Sequence, residues 1–509
     1  MSRFARNSTF SALAGVSASA GNFLSTIIVA RMLGVQLAGD VAFAIWIATT
    51  TATVSNLGLP ATLARYLPEL ESSGRPAEAH GLAWWLAKFY VAAYGITILT
   101  IGAVLWTLRP ETLSSTLGLT PEAAHQGLGY ALIIVCLYTA QLWGQFAAGW
   151  LQGFQNFGKI YLVTISSNLV QLMAVALGAY LFGAMGALTG YAVGAAILAL
   201  PLALLGRNNA EPIDPRLAKR VLRYAAFAWA AGVTNAFVWS RVEVVFLKNF
   251  WSSEQVSYFV AALAISNIAA QGPILLTGGL LPHFSSLNAT SAERLAATYA
   301  AATRLIAFLV LPACLGAAAV MPMLLPLLYG QAFAPAVRAA EILVSASAIG
   351  AIGAVSAQLL SGIERSDTIF YIGFFGMLAS TLSGFTLIRV FGIDGAALGR
   401  AAIQIGMVLI GVLYTSRYTQ CRFPWRSVGK LFLCAMVTAL AARLVLVLWP
   451  QPPSLFVAIL TGVVTYLVMV RISGAMPQSD LEWLGRITDK LPAFFKRFAY
   501  MTLGFISSH

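Results

Sequence analysis

Arg241 and Glu243 stand two positions apart inside the apolar stretch NAFVWSRVEVVFLKNF, residues 235–250, and together they pose the chemical question of the chain. A charge at the centre of a hydrocarbon layer costs roughly 2.5 to 3.5 kcal/mol on insertion scales, so a membrane segment that keeps two has a use or a partner for each. Two positions on a helix is about 200°, which turns the two side chains to nearly opposite faces and rules out a simple mutual pair. An arginine so placed can hold an anionic head group in a cavity. Arg31, closing the first apolar stretch, is the second such candidate. Arg241 also lies about 10 Å from Lys248 and the end of its stretch, close enough to snorkel into headgroups, and the sequence leaves both readings open. Glu243, and Asp40 near the start of the second stretch, are carboxylates available as counter-ions to arginines on other helices or as coupling groups.

Uncharged polar residues gather in bands around these charges. Asn22, Ser25, Thr26, Asn56, Gln141, Gln145, Gln171, Asn235, Asn267 and Gln271 all fall inside apolar stretches. Each alone reads as helix-to-helix glue, since such groups commonly hydrogen-bond across packed membrane helices. Their concentration in both halves predicts a wet cavity, with Asn22, Asn235, Asn267 and Gln271 as contacts for a hydrophilic ligand. Other chemistry is thinly represented. Cys136, Cys314, Cys421 and Cys434 are scattered without CxxC spacing, and no histidine completes a metal site, so neither a disulfide framework nor a metal is expected. No phosphate loop, Gly-x-Ser-x-Gly, HExxH or DxD occurs, and the longest exterior connector, about 109–127, leaves little room for a catalytic domain. The chain is not expected to be an enzyme or to carry a cofactor.

The elements that must hold these residues are helices in a membrane. Of 509 residues, 59% are hydrophobic and 10% charged, against about 25% charged in a soluble domain. Apolar runs near 20 residues recur from end to end, each long enough to cross about 30 Å of hydrocarbon. Spans are expected near 9–30, 41–60, 81–108, 128–150, 160–182, 186–205, 224–247, 256–281, 302–328, 339–362, 368–390, 394–416, 429–449 and 454–472, which makes the fold class an all-α polytopic membrane protein of about fourteen transmembrane helices. Pro312, Pro322 and Pro326 predict a kink in the ninth. A formal charge of +13 would suggest nucleic acid in a soluble protein, but the basic residues lie mainly in alternate connectors. That asymmetry sets topology: both termini are expected in the cytoplasm, and no nucleic-acid partner is expected.

The chain also matches itself. At a shift of 209, LQGFQNFGKIY from Leu151 lies over LSGIERSDTIF from Leu360, and FGAMGALTGYA from Phe182 over FGIDGAALGRA from Phe391. One offset at two places indicates a duplication, and a shift of six spans preserves orientation, giving a parallel repeat of two six-helix bundles. The expected organisation is an N-terminal lobe at 1–205, a linker at 206–223, a C-terminal lobe at 224–418, an extra helix pair at 429–473 and an amphipathic basic tail at 474–509.

NSTFSALAGVSASAGNFLSTIIVARMLGVQLAGDVAFAIW, with ARxLG closing the first span and an aspartate opening the second, then NLGLPATLARYLPE, resembles the start of polysaccharide flippases of the multidrug/oligosaccharidyl-lipid/polysaccharide exporter superfamily. WSRVEVVFLKNFWSSEQVSYFVAALAISN is similar to the start of the second lobe in that family. The resemblance implies a Wzx-type flippase that carries undecaprenyl-diphosphate-linked oligosaccharide, a polysaccharide or O-antigen repeat unit, across the bacterial inner membrane by alternating access. Membrane lipids and polysaccharide polymerase machinery are the other partners it implies. It places Arg31 and Arg241 on the lipid diphosphate and sugar. The alternatives are a lipid II flippase, a drug/cation antiporter of the same superfamily, and a membrane polymerase or ligase acting on the same lipid-linked sugar.

Overall fold

The computed structural model describes residues 3–107, 127–204, 211, 213–239, 242–277, 280–288, 291–363, 365–478, 480 and 504. Among them every regular element is helical. In chain order these are α1 (Arg3–Ser55), α2 (Leu59–Ser72), α3 (Pro76–Thr107), α4 (Gly127–Gly153), α5 (Phe157–Ala199), α6 (Pro215–Trp239), α7 (Glu243–Phe250) and α8 (Ser253–Leu276). Then follow α9 (Leu280–Asn288), α10 (Ala292–Tyr329), α11 (Val337–Gly362), α12 (Ser366–Ser383), α13 (Arg389–Tyr418), α14 (Trp425–Leu448) and α15 (Ser454–Ser473). A π-helical turn, Gly384–Ile388, carries α12 into α13.

Three apolar runs are too long to cross once. Phe10–Ser55, Phe157–Ala203 and Asp367–Tyr418 hold 46, 47 and 52 residues, about 70 Å or more as helix against about 30 Å of hydrocarbon. Each breaks at a glycine of positive φ: Gly34 at 77°, Gly183 at 59° and Gly392 at 55°. Only glycine enters that region without strain while neighbouring peptide groups stay hydrogen-bonded. With those three runs counted as double, the nine apolar runs among the described residues make twelve crossings. Adding α6–α7 and α8 completes the fourteen expected.

The duplication is visible in the backbone. Gly183 has φ 59° and ψ −136°, and Gly392, its counterpart in the sequence match, has φ 55° and ψ −130°. In α5 the arms fold back so tightly that a Cβ on Gly178 would lie 2.2 Å from the Gly186 carbonyl oxygen, and one on Gly190 2.4 Å from the Val175 nitrogen. In α12–α13 the facing pairs are Gly376 with Met407 and Gly411 with Ile372, centred on the matching point of the second copy. The turn leaving α4 repeats too. Phe154 N donates to Trp150 O and Asn156 N to Leu151 O, at 3.1 and 2.9 Å; Ile363 N donates to Leu359 O and Arg365 N to Leu360 O, at 3.0 and 2.8 Å. These bonds satisfy the carbonyls that a helix end leaves open.

The chain forms two compact units, Met1–Val260 with Ser380–Gly392, and Ala261–Ala379 with Ile393–His509. The core of the first gathers Leu63, Leu67, Leu82, Leu86, Tyr90, Leu142 and Phe146 from α2, α3 and α4. α6 starts at Pro215, inside the stretch read as linker. In the second unit α14 and α15 pack on α10, which continues through all three prolines. Arg443 of α14 reaches α10 and α11, donating to Ala319 O at 3.1 Å and pairing with Glu341 at 3.0 Å. Tyr466 of α15 donates to Phe308 O at 2.8 Å.

Across the seventh span α6 ends at Trp239 and α7 begins at Glu243, with Ser240 and Arg241 outside the described residues. Glu243 stands in the first turn of α7, where a carboxylate gains from the helix dipole. The basic tail over 481–503 lies outside the described residues.

The hairpin geometry predicts opposite signs for one substitution type. Gly178→Ala forces its Cβ into the Gly186 carbonyl and is expected to cost about 1–3 kcal/mol. Gly95→Ala on α3 meets nothing within 4 Å and is expected to gain about 0.5–1 kcal/mol. Thermal unfolding of the two variants in detergent reads both.

Candidate functional site

Part of the polar band is internal glue. Asn56 donates to Gln145 at 2.9 Å, Ser55 and Thr97 share a hydrogen bond of 3.1 Å, Gln171 donates to Ser25 at 3.1 Å, and Asn168 donates to Ser17 at 3.0 Å. The last two fasten the first arm of α1 to α5, with Gly21 making room for Asn168 and Gly194 for Gln171. In the first unit these amides and hydroxyls consume one another, which is what packed membrane helices demand of them.

The charged residues divide differently. Asp40 is 3% exposed. Its position follows from its neighbour: a Cβ on Gly39 would lie 1.8 Å from the Ser253 carbonyl oxygen, so only glycine lets the second arm of α1 close onto the start of α8. That contact brings Asp40 to Lys248, in the last turn of α7, and to Ser253, the first residue of α8. Lys248 Nζ lies 2.6 Å from Asp40 Oδ1, and the Ser253 hydroxyl donates to the same oxygen at 2.6 Å. Lys248 Nζ also meets Ser253 Oγ and stands 5.6 Å from the centroid of the Phe43 ring.

Helix dipoles reinforce this arrangement. The ammonium sits at a helix C-terminus and the carboxylate at a helix N-terminus, each the favourable end. Burial works against it, since both ions have left water. Asp40 Oδ2 and the Tyr130 hydroxyl are buried without a hydrogen-bond partner among the described residues, and Tyr130 lies within electrostatic range of Asp40. A site with a spare carboxylate oxygen and a spare hydroxyl is satisfied only in part.

The other predicted residues are spread out. Arg31 is exposed on α1, three residues before the Gly34 break, and Asn22 is exposed nine residues earlier on the same arm. Nine positions is two and a half turns, which sets the two on opposite sides of the helix. Glu243 is buried at the start of α7. Asn267 is exposed and Gln271 half-buried on α8. Asn235 lies on α6, its side chain outside the described residues, as is Arg241 altogether. Among the described residues no three His, Cys, Asp or Glu groups are placed to hold a metal ion.

Lys248 and Ser253 join the Asp40 cluster without a signal of their own in the sequence. Lys248 marked only the end of a span in the sequence, and its partner lies 208 positions away. The one local signal was Gly39 beside Asp40, a pattern too common to assign a contact. Arg400, counted as a connector charge, is also buried, on α13.

Known proteins share this architecture. Residues 4–288 match the family model described as "Polysaccharide biosynthesis protein". Among solved structures the chain resembles a lipid II flippase, MurJ, in an inward closed conformation, with TM-score 0.71 and 13% identity over 91% of this chain and 98% of that one. It also resembles a multidrug resistance MATE family transporter of the MOP superfamily. The inward-facing form has TM-score 0.67 and 14% identity over 81% of this chain and 95% of that one. The outward-facing form has TM-score 0.56 and 14% identity over 84% and 96%. At such identity the likeness is one of fold. No curated protein matches the chain in sequence.

The buried pair makes a stability prediction. Asp40→Asn leaves an ammonium facing a neutral amide and is expected to cost about 3–5 kcal/mol, whereas Asp40→Leu with Lys248→Met removes both charges and is expected to recover most of that. Chemical denaturation of wild type, single and double variants in the same detergent checks the non-additivity.

Proposed function

Since the chain belongs to the polysaccharide biosynthesis protein family, we propose that it is a flippase that moves undecaprenyl-diphosphate-linked oligosaccharide, a polysaccharide repeat unit, across the bacterial inner membrane by alternating access. The observation that carries the reading is the buried tie from Asp40 to Lys248 and Ser253. It joins the second arm of α1 to the start of the duplicated half, and both ions are desolvated. A buried ion pair is weak glue for a permanent contact, because apolar residues of similar volume often hold as well or better. It suits a contact that must part and re-form, since both members are readily hydrated once exposed.

Arg31 and Arg241 are the proposed ligands of the diphosphate, each able to replace lost water with a bidentate hydrogen-bonded pair. Asn22, Asn235, Asn267 and Gln271 are the proposed sugar contacts. Glu243 and Asp40 act as counter-ions in the cycle. Both termini are taken to be cytoplasmic, in keeping with the lysine and arginine asymmetry, and a polysaccharide polymerase is the proposed consumer of the product. A second reading, transport of small cations, is favoured only by the likeness in fold to a multidrug transporter. Arginines on the substrate path oppose it, because they repel cations.

The test is transport in vesicles. Purified protein reconstituted with a lipid-linked oligosaccharide is expected to expose the sugar, chemically unchanged, on the far leaflet. Arg31→Ala is expected to slow that appearance about tenfold or more, the loss of one charge-assisted contact. Efflux of small cations with no lipid movement would establish the antiporter, and sugar-chain growth or transfer would establish an enzyme.

A further inference from the structure

The exposed side of α6 changes chemistry along its length. Over its first two turns Leu217 and Val221, followed by Ala225, are buried, while Arg216, Lys219, Arg220 and Arg223 are exposed. Beyond Arg223 the exposed residues become Ala226, Phe227 and Trp229, with Phe227 67% exposed. Basic groups for about 10 Å, then aromatic and aliphatic groups, is the order met on passing from headgroups into hydrocarbon.

Neighbouring elements add charge. Arg65 of α2 is exposed, its guanidinium 5.7 Å from the centroid of Tyr66 and 5.6 Å from that of Tyr224, while Arg220 lies 5.3 Å from Tyr66. The two rings meet edge to face at 5.5 Å, so they hold the cations in place instead of leaving them to swing freely. Acidic groups stand beside them, Glu71 and Glu211 both exposed and the others occupied. Glu69 pairs with Arg220 at 2.6 Å, Glu78 with Arg75, and Asp214 accepts from the Arg216 backbone N–H at 2.9 Å. Among the described residues no carboxylate pairs with the side chains of Arg65, Arg216, Lys219 or Arg223.

We infer that this face of α6, together with Arg65, is a binding surface for anionic phospholipid headgroups, distinct from the substrate path and fixing the depth at which α6 enters the membrane. A juxtamembrane cluster of four or more basic residues concentrates anionic lipid, each charge strengthening the attraction about fivefold. Arg220, already paired with Glu69, contributes less than the others. The surface does not depend on which substrate the protein carries.

Trp229 reports on the surface, six residues beyond Arg223. The full-length protein is reconstituted in vesicles containing equal fractions of phosphatidylglycerol and phosphatidylcholine, with bromine on the acyl chains of one or the other. The quenching lost on Trp229→Phe isolates this residue. Brominated phosphatidylglycerol is expected to quench Trp229 several-fold more than brominated phosphatidylcholine. In R216Q/K219Q/R223Q the two lipids are expected to quench alike. Equal quenching in the wild type, or a preference that survives the triple variant, overturns the surface. So does loss of the preference on adding inorganic phosphate at constant ionic strength, which would mark a free-phosphate site. Because Trp229 donates to Val54 O at 2.7 Å, its replacement can disturb folding. Association of spin-labelled phosphatidylglycerol and phosphatidylcholine with wild type and triple variant gives the same comparison with Trp229 intact.

Discussion

In hydrocarbon no water satisfies a peptide group, and this protein is organised around that constraint. Among the described residues every crossing is helical, and the reversals inside the longest runs use a single glycine at positive φ instead of an open loop. A turn that small lets the two arms of α5 touch backbone to backbone through Gly178 and Gly186. Dispersion and close fit, more than burial of apolar area, hold membrane helices together, so the small residues that allow such approach are structural necessities. The same solution appears again in the second copy, at Gly392, with nearly the same dihedral angles.

Against that apolar background the ionic contacts stand out as choices. Arg443 with Glu341 sits at the edge of the extra helix pair, and the same guanidinium donates to the Ala319 carbonyl. Asp40 with Lys248 spans two distant parts of the chain, costs desolvation at both ends, and leaves one carboxylate oxygen unpartnered. Helix dipoles offset part of that cost. The contact is therefore better suited to being made and broken than to holding the fold, and this gives the transport reading its physical footing.

Much of the fold was legible in the sequence because apolar length and breaker position are local properties. The FGAMGA and FGIDGA segments announced both the duplication and its offset, and Gly183 and Gly392 then adopted matching conformations. The site was read only in part. Asp40 and Glu243 were rightly singled out as unusual charges, and both are buried. The partner of Asp40 was not found, because a pairing between positions so far apart in the chain leaves no mark in a single sequence. Asn56, Gln145 and Gln171 serve as the helix-to-helix glue that each such amide alone suggests.

The central claim is that the contact between Asp40 and Lys248 must open during each cycle. It is tested on the unaltered protein by the reactivity of the Lys248 amine, which is buried against Asp40 while the contact is closed. Protein in vesicles is pulsed with an amine-modifying reagent with and without lipid-linked oligosaccharide, and modification of Lys248 is read by mass spectrometry. Modification that rises several-fold during delivery is the predicted result; modification equally slow with and without the lipid-linked oligosaccharide would contradict the account.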